Sequence, residues 1–140
     1  MNRNITSANA IAYMTVDSLY PQGFQLQQFS TDAAISQSDD TISETRIGVD
    51  GYMVAGYTPS IKTLTITLEP TSPSKEYLDH LYKSMQKNKK IYLCNLVITL
   101  PSLEKVIQYS YGVLKTAKTL PDMQKTLAAI PYTFDFEKVE

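Results

Sequence analysis

The sequence predicts a mainly β fold: an antiparallel β-sandwich or partly closed barrel with one flanking α-helix and a long extended β-hairpin or loop. Several segments alternate apolar and polar residues, which is typical of strands with one buried face. One segment instead spaces its apolar residues by three and four, as an amphipathic helix does. The hydrophobic fraction is 43% and the charged fraction only 19%, so uncharged polar residues supply much of the surface. We expect the 140 residues to form one domain, 1–140.

The N-terminal quarter of the chain predicts an arm and two strands. Residues 1–10 are polar and are expected to form an N-terminal arm. Residues 11–19 alternate and predict a strand. The composition of residues 20–23, Tyr-Pro-Gln-Gly, predicts a turn, after which residues 24–29 alternate again.

Residues 30–60 predict an extended loop and hairpin with little power to form a core. They are rich in Ser, Thr, Asp and Gln, and we expect both faces of the hairpin to be polar. Asp50 and Gly51 predict a type I′ turn, because that turn needs two positive φ angles. A two-stranded ribbon is marginal alone in water, and exposed strands are adhesive. The expected partner is therefore another copy of the same chain.

Two strands in the second half have clear one-sided patterns. The segment SIKTLTITLEP at 60–70 places Leu64, Ile66 and Leu68 on one face and polar residues on the other. The last strand places four apolar residues on its core face. These are Ile130, Tyr132, Phe134 and Phe136. The opposite faces of the two strands carry Thr63, Thr65, Thr67 and Glu69, and Thr133, Asp135 and Glu137, respectively.

The remaining elements are one helix and two further strands. Residues 72–88 predict the helix, capped either by Ser72 with Pro73 at its first position or by Ser74. Four lysines follow at its C-terminal end. These are Lys83, Lys87, Lys89 and Lys90. Residues 90–101 are apolar on both faces, which predicts a central strand. In the next predicted strand, Val106, Gln108 and Ser110 oppose Ile107, Tyr109 and Tyr111.

The residues that usually carry chemistry are sparse. The only histidine, His80, is expected on the helix surface, and the only cysteine, Cys94, is expected in the core. Asp39 and Asp40 lie in a polar loop with no apolar environment to separate their pKa values. Phosphate-binding and nucleophile motifs are absent from the sequence, and no apolar run is long enough for a membrane span. We therefore expect no enzyme activity, no cofactor, no metal and no membrane association.

The order of motifs resembles the tail tube proteins of long-tailed bacteriophages, chiefly those with contractile tails. In that family a Gly-hydrophobic strand leads into a Q-F-x-x-D segment, an Ile-containing strand, a glycine-rich turn and a Pro-led alternating strand. A helix and an aromatic strand close the order. Here these are Gly23-Phe24, QFSTD at 28–32, Ile42, GVDG at 48–51, Pro59 and YTFDF at 132–136. The resemblance covers roughly residues 11–138 and extends to type VI secretion tube subunits.

The resemblance implies a structural virion protein whose hexameric rings stack into the tail tube, a conduit for genome DNA. It implies contacts between copies and with sheath, baseplate and tail-terminator proteins, assembly in the host cytoplasm, and DNA passage without specific binding. The formal net charge of −1 agrees with a channel that does not bind phosphates tightly. The family segment after Q-F often carries paired acids, whereas Asp32 stands alone here, so contacts of such a pair are not transferred.

The resemblance and the exposed hairpin give two groups of candidate residues. The candidates for the assembly interface are Phe29, Asp32, Ile42, Arg46, Asp50, Gly51, Tyr52 and Tyr57. The candidates for the lumen or the outer surface are the polar faces named above, Thr63, Thr65, Thr67, Glu69, Thr133, Asp135 and Glu137. Two alternatives remain open: a baseplate protein that initiates a tube, and a monomeric β-barrel binding module.

Overall fold

The computed structural model describes residues 10–27 and 35–140. Its largest unit is a seven-stranded antiparallel sheet, curled into a half-barrel, in the order β2-β1-β7-β8-β9-β6-β3. A separate two-stranded sheet, β4-β5, and one α-helix complete the described part of the chain. The predicted fold class is confirmed. The elements are β1 (Ile11–Val16), β2 (Tyr20–Leu26), β3 (Ile35–Gln37), β4 (Ser43–Ile47), β5 (Met53–Tyr57), β6 (Lys62–Leu68), α1 (Pro73–Asn88), β7 (Cys94–Leu100), a 3₁₀ turn (Pro101–Leu103), β8 (Lys105–Thr116) and β9 (Ile130–Val139).

The core lies between one face of the large sheet and α1. The apolar faces predicted for β6 and β9 are buried there, and both strands pair along their whole core-facing length. Leu78 and Leu81 of the helix are fully buried against this face. Strand β7 lies between β1 and β8, as its two apolar faces predict. The Tyr109 hydroxyl donates a 2.7 Å hydrogen bond to Gln37, which ties β8 to the far strand β3.

The helix begins at the first of its two predicted caps. Ser72 has an extended backbone, and its hydroxyl accepts a hydrogen bond from the Ser74 N–H at 3.2 Å. Pro73 takes the first helical position, where the missing N–H costs nothing. The helix ends at Lys89, whose φ of 49° is the left-handed conformation common at helix C-termini.

The two serines also fasten the helix to the edge strand β2. The Ser74 hydroxyl donates to the Gln25 carbonyl at 3.0 Å and accepts from the Gln27 N–H at 2.8 Å. The Ser72 hydroxyl donates to the Gln27 carbonyl at 2.5 Å. These bonds occupy backbone groups at the end of β2 that would otherwise be open to another strand.

The turn predicted at residues 20–23 is wrong, because those residues belong to strand β2. The chain turns earlier, at residues 17–19, where Ser18 has a φ of 73°. Pro21 is tolerated because β2 is an edge strand and needs no donor on its open side. Gly23 has a φ of 82°, and a Cβ there would lie 2.5 Å from the ring of Tyr13. A glycine is therefore needed at this position because the Tyr13 ring lies close to the backbone, and not because the chain turns there.

The alternation predicted along β8 holds only up to Tyr109. Strand β8 has a bulge, since Leu96 pairs with Tyr109 but Cys94 pairs with Gly112. Tyr111, with a φ of 55°, is displaced to the surface and is 56% exposed, whereas Tyr109 and Gly112 are buried. An inserted residue of this kind reverses the faces that follow it, and the composition of the strand carries no sign of it.

Candidate assembly interface

The β4-β5 hairpin projects from the main body of the described structure. Its two strands pair with each other from Ser43↔Tyr57 to Ile47↔Met53, and they form a sheet of their own. Every residue of both strands is exposed. Its base is held by the Thr58 N–H, which donates to the Ile42 carbonyl at 3.0 Å. The hairpin therefore contributes nothing to the core of its own subunit.

The loop at the tip of the hairpin is not the predicted type I′ turn. Gly51 has a φ of 85°, but Asp50 has no positive φ. The Gly51 N–H donates to the Gly48 carbonyl and the Gly48 N–H donates to the Tyr52 carbonyl, both at 2.9 Å. This is the three-residue hairpin loop in which a turn is followed by a left-handed glycine. The Asp50 carboxylate accepts from the Tyr52 N–H at 3.3 Å, which favours this longer loop.

The two faces of the hairpin differ, and the expectation that both are polar is wrong. Residues directly opposite one another in an antiparallel pair share a face. Ile47 and Met53 form one such pair, and Ala55 and Tyr57 follow on the same face. The exposed fractions of Ile47, Met53 and Tyr57 are 74%, 68% and 78%. Thr45 and Ser43 share this face, opposite Ala55 and Tyr57. We call its four apolar residues, Ile47, Met53, Ala55 and Tyr57, the apolar face of the hairpin. In the described structure they remain mostly exposed.

The structure brings six of the eight predicted interface residues together on this hairpin. Tyr57 belongs to the apolar face, while Arg46 lies opposite Val54 on the other face. The remaining four, Ile42, Asp50, Gly51 and Tyr52, lie at the base or in the loop. Phe29 and Asp32 lie outside the described residues, as do residues 1–9 of the predicted arm.

Sequence reasoning missed the two most informative residues of the apolar face. Ile47 and Met53 are apolar residues on either side of the loop in the segment RIGVDGYM, and the structure makes them a directly opposed pair. Only the register shows that both side chains point to the same side. A five-residue span between them, in place of a two-residue turn, sets that register.

An open cleft of about 800 Å³ lies between the base of the hairpin, the middle of β8 and the C-terminal end of β9. Tyr57, Ile61, Tyr111 and Val113 supply much of its apolar lining. Tyr57 thus belongs to both the apolar face and this cleft. The cleft widens the apolar surface that a partner would cover.

The polar residues predicted for the lumen or the outer surface mostly form one patch. In the register of β6 and β9, Thr63 lies opposite Asp135 and Thr65 lies opposite Thr133. The Thr63 hydroxyl donates to the Asp135 carboxylate at 2.8 Å, and Lys115 lies 3.7 Å from its other oxygen. Thr67 continues the same face of β6. Glu69 follows the end of β6, and Glu137 is exposed farther along β9.

The single histidine and the single cysteine lie on the helix surface and in the core, respectively. His80 is exposed on α1, and its Nδ1 atom lies 2.8 Å from the Tyr20 hydroxyl. Cys94 is fully buried, and burial raises the pKa of its thiol from 9.0 to about 12, with a further contribution from the charge of Asp17. Both placements confirm the sequence interpretation. Across residues 10–27 and 35–140, no group of three His, Cys, Asp or Glu side chains is placed to hold a metal ion.

The helix α1 has 16 residues with a charged exposed side. Within the described residues, no helix has the length and apolar character needed to cross a membrane.

Comparison with known families gives a match over nearly the whole sequence. A family model described as "Tail fiber protein gp32" matches residues 3–140. The chain belongs to the tail fiber protein gp32 family. Its members are structural tail proteins. Comparison with curated proteins gives no match.

Solved structures with the same fold come from contractile injection systems. The sheath/tube terminator of the PVC system aligns with a TM-score of 0.66 at 14% identity, covering 98% of this chain and 95% of that one. A chain of the PVC sheath-tube complex aligns with a TM-score of 0.65 at 12% identity, covering 100% and 92%. A chain of the anti-feeding prophage baseplate aligns with a TM-score of 0.59 at 13% identity, covering 100% of this chain and 96% of that one. The predicted resemblance to tail tube proteins is thereby confirmed for the fold.

Proposed function

We propose that this chain is a ring-forming subunit of a tail tube, with six copies in each ring and the rings stacked into a conduit for genome DNA. The observation that carries the proposal is the hairpin whose strands are exposed throughout and whose apolar face remains mostly exposed in the described structure. Apolar surface of this kind is characteristic of protein interfaces. Family membership and the shared fold with tube and terminator subunits support the same role.

The polar patch of β6 and β9 suits the wall of a DNA channel. Threonine hydroxyls dominate it, and its carboxylate, Asp135, is bonded to Thr63 and lies near Lys115. Each phosphate that a protein neutralises adds salt-dependent affinity, which would slow the passage of DNA. A patch with hydroxyls and internally compensated charges avoids that. We assign this patch to the lumen, with Glu69 and Glu137 at its margins.

The likeness to a baseplate chain favours a second role, a ring that initiates the tube. An initiator and a main tube subunit differ in how far they polymerise alone. An initiator stops at one ring, whereas a tube subunit forms stacks of uniform width. In both roles we propose contacts with sheath, baseplate and terminator proteins and a final location in the virion tail.

The test is negative-stain electron microscopy and mass photometry of the full chain over a range of concentrations. Rings or tubes of uniform width support the proposal, and a chain that stays monomeric at every concentration overturns it. The matched variant lacks residues 43–57, with two glycines joining Ile42 to Thr58. These two residues are already hydrogen bonded, so the shorter connection fits without strain. We expect it to keep the melting temperature of the full chain and to form no rings. Rings from this variant would contradict the role assigned to the hairpin.

A further inference from the structure

The C-terminal end of α1 carries an unusual concentration of positive charge. Residues 83–90 contain four lysines and no acid, and all four lysines are exposed. Lys83 and Lys87 lie four residues apart on the same helix surface, where like charges repel. In the described structure none of the four forms an ion pair. We call Lys83, Lys87, Lys89 and Lys90 the basic helix end.

The segment that contains the hairpin has the opposite charge. Residues 39–50 contain four acids and one arginine. The acids are Asp39, Asp40, Glu44 and Asp50. Within the described residues none of these acids forms an ion pair either. We call residues 39–50 the acidic segment. A chain with a net charge of only −1 therefore holds two separated regions of opposite charge.

The two regions lie at the same end of the large sheet. Cys94, just after the basic helix end, pairs with Gly112, which pairs in turn with Phe136. Phe136 pairs with Lys62, just after the hairpin. The starts of β7 and β6 are thus in one row, three strand spacings or about 14 Å apart along the sheet.

The two regions belong to opposite sides of that row. The acidic segment is part of the connection between β3 and β6, which are the last two strands at one margin of the sheet. The helix starts at the other margin, where Ser72 and Ser74 bond to β2. It crosses the core face of the sheet, where Tyr132 of β9 donates to Asp79 at 2.8 Å, and the basic helix end then leads into β7, on the β2 side of the row. If the rotation axis of a ring is parallel to the strands, every copy has its two charged regions at the same position along that axis. The side of one copy that carries the acidic segment then faces the side of the next copy that carries the basic helix end.

We propose that the acidic segment of each copy contacts the basic helix end of its neighbour within a ring. This inference rests on the proposed ring-forming function and specifies which surfaces meet. The contact is heterologous, so every copy uses both regions and the ring leaves neither unpaired. Complementary charge of this kind accelerates encounter and rejects the wrong orientation, in which two basic or two acidic regions would meet. The apolar face then supplies the short-range contact.

The test uses two charge reversals in the full chain, K83E/K87E and D39K/E44K. All four side chains are exposed, so the reversals leave the core intact. K83E/K87E cancels the charge of the basic helix end, and D39K/E44K makes the acidic segment net positive. Each variant alone therefore loses the attraction, and we expect ring formation to need roughly tenfold more protein. Mixed in equal amounts, the two variants have complementary surfaces in an alternating ring, which closes with an even number of copies. The mixture is expected to form rings at the wild-type concentration.

A matched control separates this contact from net charge. K105E/K125E changes the charge of the chain by the same amount as K83E/K87E, at two exposed lysines elsewhere, and is expected to assemble as the wild type does. Raising the salt from about 0.05 M to about 0.5 M should weaken wild-type rings, because the screening length shortens several-fold. If wild-type rings form but the reversals assemble normally, or the mixture fails to restore assembly, the charge contact is wrong and the proposed function stands. If the wild type forms no rings, both are overturned.

Discussion

Replacing Ile47 by serine tests the apolar face of the hairpin at its most informative position. The side chain is 74% exposed and lies opposite Met53, which is exposed as well. Removing it from the free subunit therefore deletes almost no packing, and we expect the free energy of unfolding to change by less than about 0.5 kcal/mol. Its effect should appear only where another copy covers it.

The size of that effect follows from the exposed fraction. Fully burying an isoleucine side chain stabilises by about 1.5–3 kcal/mol. Since 74% of Ile47 is still exposed in the subunit, about 1–2 kcal/mol remains to be gained in each contact. With 1.4 kcal/mol per factor of ten, I47S should weaken each contact about 5- to 30-fold. I47V removes one methylene and should weaken it only about threefold.

Mass photometry across a dilution series measures the strength of the contact between copies. Thermal unfolding of the dilute monomer measures the stability of the subunit. The expected order of assembly is wild type, then I47V, then I47S, with melting temperatures that coincide. I47S assembling at the wild-type concentration would show that the apolar face is not an interface. A marked loss of monomer stability would show that Ile47 packs within its own chain.

Three further results are expected from the core and its edges. A Cβ at Gly112 would lie 2.3 Å from the ring of Phe136, so G112A should lower stability by about 1–3 kcal/mol in urea unfolding, while G56A, with no atom within 4 Å, should be neutral. S74A removes the hydroxyl that bonds the Gln25 carbonyl of β2 and the Gln27 N–H just after it, and should lower stability by about 2 kcal/mol; a change near zero would mean that water replaces the hydroxyl. The raised pKa of Cys94 favours the neutral thiol in the folded state, so its contribution is complete below pH 9.0 and is lost as the pH rises towards about 12; C94A should reduce this alkaline loss, and an unchanged pH profile would exclude it.

Periodic patterns were reliable wherever one face of a strand meets the core. The alternation of β6 and β9 identified every core residue of those strands, since burial on one face imposes a period of two. The helix followed from its apolar spacing of three and four, and Ser72 with Pro73 was one of its two predicted caps. Fold class could therefore be predicted from short-range patterns alone.

Features that depend on contacts between distant residues could not be predicted. The composition of residues 20–23 indicates a turn, because the local sequence does not show that the Tyr13 ring lies against Gly23. The bulge at Tyr111 follows from the pairing of β7 with β8, which composition does not encode. The apolar face of the hairpin required the register across a loop. These are all consequences of pairing, and a single strand read in isolation does not contain them.

The serine bonds that fasten α1 to β2 have a consequence for how copies can join. A curled sheet with open margins is a template for adding strands without limit, which is the route to fibrous aggregates. One margin of this sheet is obstructed by hydroxyl groups and by Pro21, and the other ends in a strand of only three residues. In the proposed ring, the margins of this sheet would then offer side chains and not backbone ladders to a neighbouring copy. Growth by side-chain contact is reversible and can correct errors, which suits the proposed ring-forming subunit.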